Sequence, residues 1–472
     1  MPKLPRLVLA GMIVALGGQS AAAEDLLQVY RQTLDSDPVL RAAAASREAA
    51  QEAEPQARAL LLPSVGARIE QGRTFGIAGS PRGNSSFGNH SYAIGLTQPI
   101  YNRDSQVRQR LAKALVDQAD VDFLNIEDEL ILRVAQGYFG VLRELDNLTF
   151  ATAEKNAFAR QLEQANRRFE VGLATITDVF DAQARFDAAV SQEISAVNAL
   201  ADAREFLRQL TGQDYSQLNI LSERMPLALP QPSDPEEWTR MALENNQRLR
   251  SARFSVDQAR ENIQLQKAGH YPTLNLNASR ADVDSGSSNV ASSQVNLELN
   301  IPLYTGGAVS SRSREAAYNY EAARQSLENL QRDTLRVVRN AYRGQETAIS
   351  QIKALDQTRV STRSALEANQ AGFEVGTRTI VDVLDAERNV FRAESEYAAA
   401  RYSYIANFLV LKQAAGQLSE ADLVEINGWL DQPRPTNGHS PEPPAREAVK
   451  AGASNNRANG KAARAGQSPT GP

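Results

Sequence analysis

Residues 294–301 read Gln294-Val295-Asn296-Leu297-Glu298-Leu299-Asn300-Ile301. Every second side chain is apolar and those between are polar, which is the period of a strand whose two faces meet different surroundings. Leu274, Leu276 and Ala278 alternate with Asn275, Asn277 and Ser279 in the same way. Tyr92, Ile94 and Leu96 alternate with Ala93, Gly95 and Thr97, and Val65, Ala67 and Ile69 supply a fourth segment. Segments of about ten residues with this pattern fit the lipid-facing and lumen-facing sides of an outer-membrane strand, although an ordinary half-buried hairpin alternates too. The stretches Phe75 to Asn89 and Ala281 to Ser292, rich in Gly, Ser and Asn, read as the outer loops of two hairpins, 64–98 and 273–301. Four strands cannot close a barrel, since the smallest outer-membrane barrels have about eight and an open edge in lipid leaves backbone groups unsatisfied. Further copies must supply the rest, and the periodicity does not choose between two copies and three.

Outward from the hairpins, proline placement marks the helices. None occurs between Ile100 and Met225, or between Leu303 and Gln432. Both windows are rich in Ala, Gln, Arg, Leu and Glu, the composition of long helices packed side by side. A leg from Asn102 to Val171 reaches roughly 100 Å at about 1.5 Å per residue, far beyond a hydrocarbon layer of about 30 Å, so most of it stands in the periplasm. Gly172 and Gly376 mark reversals at helix ends.

The chain repeats itself roughly 200 residues on. Leu61-Leu62-Pro63-Ser64-Val65 is echoed by His270-Tyr271-Pro272-Thr273-Leu274, Gln98-Pro99-Ile100-Tyr101 by Ile301-Pro302-Leu303-Tyr304, and Phe169-Glu170-Val171-Gly172 by Phe373-Glu374-Val375-Gly376. Each unit is expected to run helix, hairpin, long helix, turn, helix. The first spans 24–213 with its turn near 172, and the second spans 236–418 with its turn near 376. A proline-containing connector occupies 214–235, a short segment 419–431, and a Pro, Gly, Ala and Asn-rich tail, expected to be disordered, 432–472. At the other end, Lys3 and Arg6 precede the apolar run Leu7 to Leu16, and Ala21-Ala22-Ala23 offers a cleavage site, so 1–23 reads as a secretory signal peptide.

Composition narrows the function. Of 472 residues 23% are charged, and only the N-terminal run could enter a bilayer as a helix, which argues against a polytopic helical membrane protein. There is no cysteine, hence no disulfide, thiolate or lipid-bearing N-terminal cysteine. The net charge of −5 argues against nucleic acid as a main ligand. His90, His270 and His439 are isolated, and no nucleotide-binding, nucleophile-elbow or metal motif is present, so neither enzyme chemistry nor a cofactor is expected.

The chain resembles the TolC family of outer-membrane efflux and secretion channels over essentially Glu24 to Trp429. The matches are Asp37-Pro38, Leu96-Thr97-Gln98 through Tyr101, Tyr138-Phe139, Arg168 to Leu173, Gly269 to Leu274 and the long run Val375-Gly376-Thr377-Arg378-Thr379-Ile380-Val381-Asp382-Val383-Leu384-Asp385. The resemblance implies a mainly α protein with a β-barrel section. In it a homotrimer shares a twelve-stranded outer-membrane barrel, four strands per chain, continuous with a long periplasmic α-helical barrel. It also implies a passive conduit in the outer membrane, opened at its periplasmic tip by an adaptor (membrane fusion) protein and an inner-membrane transporter, either ATP-driven (ABC) or proton-driven (RND). A periplasmic or surface coiled-coil structural protein is the competing reading.

Site residues follow. Asp382 and Asp385, three apart at a helix start, share a face, so three chains would set six carboxylates around the entrance that the resemblance implies. Thr379-x-x-Asp382 and Thr175-x-x-Asp178 also read as capping boxes. By resemblance, Thr177 and Asp178 join Arg378 of the neighbouring hairpin in a latch that holds the entrance shut. Phe373 stands where the family often has Tyr, which would weaken that latch, and Asp181 adds an acid matching Asp385. Val171, Gly172 and Leu173, with Val375, Gly376 and Thr377, are the expected adaptor-docking tips.

Overall fold

A computed structural model of the chain describes residues 24–75, 86–284 and 288–436. The expected signal peptide, the hairpin tips at 76–85 and 285–287, and residues 437–472 of the expected tail lie outside the described residues.

The chain opens with α1 (Leu26–Ser36), and Asp37-Pro38 starts α2 (Pro38–Gln51). Asp37 caps α2 by accepting from the Leu40 N–H at 3.0 Å, and proline at the first helical position sacrifices no intrahelical bond. After α3 (Ala53–Ala59) come the antiparallel strands β1 (Ser64–Phe75) and β2 (Ser86–Tyr101). Asn102 then caps α4 (Arg103–Glu170), a single helix of 68 residues. Its return leg α5 (Ile176–Thr211) leads into β3 (Gln217–Leu221). The second half repeats the order with α6 (Pro235–Asn245), α7 (Gln247–Ala268), β4 (Thr273–Asp284), β5 (Asn289–Asn300), the 67-residue α8 (Ala308–Glu374) and α9 (Ile380–Ala414). A short α10 (Glu420–Asn427) and β6 (Leu430–Pro435) end the described chain. The opening helix expected of each half is broken into pieces, because Asp37 and Asn246 turn extended and cap a new helix.

The four long strands form one antiparallel sheet in the order β1-β2-β4-β5. Register aligns the alternation across it: Val65 faces Leu96, Leu96 faces Ala278, and Ala278 faces Val295. The same parity carries Ala67, Ile69, Tyr92, Ile94, Leu274, Leu276, Leu297 and Leu299 onto one face. That face has nothing packed on it, with Ile69 and Val295 each 74% exposed. The opposite face carries a polar chain in which the Thr97 hydroxyl donates to Asn277 Oδ1 and Asn277 Nδ2 donates to Glu298, both at 3.0 Å. The strands outrun the expected loops: Ser86 to Asn89, Ala281 to Asp284 and Asn289 to Ser292 all stay in the ladder. Ladder bonds belong to the backbone, so the Gly, Ser and Asn that suggested loops are compatible with strands rising into water.

Below the sheet, the main core gathers Leu26, Val29 and Tyr30 of α1, Leu130, Val134, Tyr138 and Leu142 of α4, Ile405 and Leu409 of α9, and Leu423 and Ile426 of α10. Tyr138 donates to the Asn219 carbonyl at 2.7 Å, tying α4 to β3. The Asp37 carboxylate, almost wholly buried, also receives Arg133 of α4 at 2.8 Å. One boundary is corrected here. Residues 432–436, expected to open the tail, are instead folded, because β6 pairs with β3 inside the expected connector, Arg434 reaches Asp146 at 3.1 Å, and Thr436 is fully buried.

Candidate functional site

The two long hairpins of helices end in matching turns. After α4, Gly172 takes φ +74°, and the Leu173 N–H donates to the Arg168 carbonyl at 2.7 Å. After α8, Gly376 takes φ +81°, and the Thr377 N–H donates to the Gly372 carbonyl at 2.8 Å. Both are left-handed glycine endings that satisfy the last helix carbonyls. They leave Val171, Leu173 and Val375 as uncovered apolar side chains, 68%, 72% and 75% exposed, with Thr377 exposed beside them.

Capping boxes restart the chain on the far side. Asp178 accepts from the Thr175 N–H at 2.8 Å, and Asp382 accepts from both the N–H and hydroxyl of Thr379 at 2.8 Å. These bonds, with Arg378 close by, hold the Asp382 carboxyl below the usual aspartate range. Asp382 is therefore anionic and fixed in direction.

Asp385 has different company. Its Oδ1 accepts from Arg185 of α5 at 2.7 Å, with Arg388 at 3.6 Å. The matching Asp181 is exposed and has no side-chain partner among the described residues. Two residues beyond Asp385, Glu387 is buried with Oε2 unbonded, and burial pushes its carboxyl up against the opposing pull of Arg160.

The expected latch is not assembled within one chain. Thr177 bonds the Thr175 hydroxyl at 2.6 Å and Asp178 is engaged in its cap, while the Arg378 guanidinium is exposed with no side-chain partner among the described residues. Phe373 is half-buried against the small core of Phe158, Ala165, Ala182, Ala189, Ile380 and Leu384, which joins α4, α5 and α9 near the turns. The Arg168 guanidinium lies 4.4 Å over its ring.

Several contributors escaped the sequence reading. Arg185 and Asp385 lie 200 positions apart, so no local pattern joins them. Gly372 is required because a Cβ there would lie 2.6 Å from Arg378 Cγ, and its carbonyl also accepts from the Arg378 N–H and the Thr377 hydroxyl. The one available signal was a glycine four residues before Gly376 in an otherwise strong helix former sequence. No cluster able to hold a metal ion occurs among the described residues.

Comparison with known proteins agrees with this architecture. Over 426 residues the chain is 40% identical to outer membrane protein TolC of Vibrio cholerae, covering 88% of this chain and 96% of that one. It is 31% identical to the alkaline protease secretion protein AprF of Pseudomonas aeruginosa, over 88% of this chain and 89% of the relative. The fold matches the outer membrane protein VceC of Vibrio cholerae at a TM-score of 0.71 and 17% identity, spanning 83% of this chain and 96% of VceC. The family model described as outer membrane efflux protein matches residues 29–213 and 238–417, both repeats, and the chain belongs to that family.

Proposed function

We propose that three copies of the chain close a twelve-stranded barrel in the outer membrane and stack their helices into a periplasmic duct, through which an inner-membrane transporter expels its cargo. The observation that carries this reading is the four-stranded sheet: one face is apolar and uncovered over the half nearest the helices, the other is polar, and the outer edges of β1 and β5 are unpaired among the described residues. Only closure with other copies removes such edges in lipid. The duct catalyses nothing itself, and an adaptor protein couples it to an ABC or RND transporter. The relatives' names span the outlets, with AprF named for protease secretion and the family for efflux.

At the tip, three copies of Asp382 and Asp385 line the entrance. Because Asp385 is already shared with Arg185, Asp382 carries the freer charge. Arg378, whose guanidinium makes no hydrogen bond or ion pair among the described residues, is then left to meet Thr177 or Asp178 across a chain boundary and to hold the tip shut. Phe373, lacking a hydroxyl, adds packing to that closed state and no hydrogen bond.

The test has two parts. In planar bilayers the purified protein is expected to form channels blocked by multivalent cations, Asp382→Ala is expected to relieve the block more than Asp385→Ala, and Arg378→Ser is expected to open more often. A photo-crosslinker at Val171 or Val375, exposed positions that avoid the strained glycines, identifies the adaptor in cells. Capture of a proton-driven pump's adaptor assigns drug extrusion, and an ATP-driven transporter's adaptor assigns type I secretion. A protein that washes off the outer-membrane fraction in carbonate and forms no channel is instead a coiled-coil structural protein.

A further inference from the structure

At the opposite end of the helices from the turns, an open groove of about 580 Å³ lies between the end of α7 and the first two turns of α8. It is lined by Lys267, His270, Tyr271, Ser310, Ser313 and Arg314. Its level is fixed by the chain: α7 runs into β4 through Pro272, and α8 follows β5, so the groove sits where the apolar sheet face begins at Leu274 and Leu299. The two helices are in close contact there, since a Cβ on Gly269 would lie 3.0 Å from Val309 Cγ2.

The groove collects donors that nothing among the described residues satisfies. Lys267 and Arg314 are exposed, and neither has an ion pair or side-chain hydrogen bond among the described residues. The Ser313 hydroxyl is shielded from solvent and has no hydrogen-bond partner. A guanidinium, an ammonium and a sheltered hydroxyl facing one space suit a tetrahedral oxyanion. Tyr271, half-exposed in the groove, and Tyr304, almost fully exposed just beyond β5, supply amphipathic rings of the kind that gather at a membrane boundary. Basic residues at that level attract anionic headgroups.

We propose that this groove binds the phosphate diester of an anionic phospholipid from the periplasm-facing leaflet, anchoring the rim of the barrel. Arg314 engages the two non-bridging phosphate oxygens with its planar fork, Lys267 shares their single negative charge, Ser313 donates one short bond, and the Tyr271 ring packs on the glycerol and upper acyl chain. The inference rests on the reading of the sheet as the membrane-spanning part.

The experiment uses the full chain in detergent, titrated with phosphatidylglycerol and read by native mass spectrometry. Wild type is expected to retain the lipid at least about tenfold more tightly than Lys267→Ala/Arg314→Ala. Lys267→Arg, which keeps the charge, is expected to retain it as wild type does. Because both side chains are exposed, the double variant should keep its helical circular dichroism, so loss of lipid reports the site. Equal retention by wild type and double variant overturns the proposal, and so does inorganic phosphate that binds as tightly as the lipid, which marks a site for a free anion. Carbonate extraction of the same proteins separates the two failures. Wild type that washes off fails the membrane reading, whereas wild type that stays in the membrane without selective lipid retention overturns the lipid site alone.

Discussion

Two carboxylates show how neighbours set the behaviour of single residues. Asp382 is held ionised by the donors of its own cap, so acidification must go below the usual aspartate range to reach it. Asp128, on α4 beside Glu127 and Glu129, is in the opposite position: burial and those two charges push its carboxyl up to about 6 from 3.8. It lines a small cavity of about 100 Å³ together with Glu129 and Asp333. The folded state therefore takes up a proton more readily than the unfolded one. The cost of ionising Asp128 is absent below 3.8 and complete above about 6, so stability falls as pH rises through that window. Asp128→Asn is expected to stabilise the protein by about 1 kcal/mol above neutrality, after discounting for partial solvent screening, and by nothing measurable near pH ~4. Thermal unfolding of the detergent-solubilised protein at both pH values checks it, and an equal shift at both would show that charge is not the cause. Glu387 carries the same sign, since it too is raised by burial, so Glu387→Gln is expected to raise the melting temperature at neutral pH and to lose that advantage in acid.

Elements divide by how much of their stability is local. The capping boxes at Thr175 and Thr379 are legible in sequence because both partners lie three residues apart, and the strands are legible because alternation is local. The β3–β6 pair was not legible. Leu430-Asp431-Gln432-Pro433-Arg434-Pro435 carries two prolines and reads as tail from Gln432 on, yet an edge strand tolerates proline, and its anchor is the distant Asp146. Asp146 is itself half-buried, its carboxyl raised by that desolvation, and it accepts from the Tyr402 hydroxyl at 2.7 Å. Arg434→Ala removes the bonded cation of this carboxylate and leaves only the Arg401 charge nearby, and is expected to cost about 2 kcal/mol, the scale for a hydrogen bond to a charged group. Tyr402→Phe removes one neutral donor and is expected to cost about 1 kcal/mol. Urea unfolding followed by the circular dichroism of the helices compares the two, and equal losses would mean that β6 is held by its ladder and not by Arg434. The register across β2 and β4 was likewise hidden, since it joins strands from different repeats, and the Arg185–Asp385 bond was hidden for the same reason.

In the whole molecule, two solvents meet at one sheet. A water-soluble protein covers an apolar sheet face with helices, but here the long helices leave the sheet at its ends and continue away from it, so that Val65, Ile69, Ile94, Val295 and Leu297 stay uncovered. Lipid is the covering that fits, and the polar face with Thr97, Asn277 and Glu298 is left for a water-filled interior. The two faces are one residue apart along β5, which makes the assignment testable with neighbouring positions. Val295→Arg places a charge on the lipid side, where the penalty is about 2–4 kcal/mol per chain near the bilayer centre. In the proposed three-chain barrel that penalty is incurred three times, so assembly in the outer membrane is expected to collapse, with the protein recovered in the periplasm or degraded. Asn296→Arg points the same charge into the interior. It is expected to assemble normally, to survive carbonate, and to shift the ion selectivity of the open channel towards anions. Membrane fractionation reads the first variant and reversal potentials in planar bilayers read the second. If both variants fail to assemble, or both assemble, the two faces do not meet different solvents and the sheet is not a piece of a transmembrane barrel.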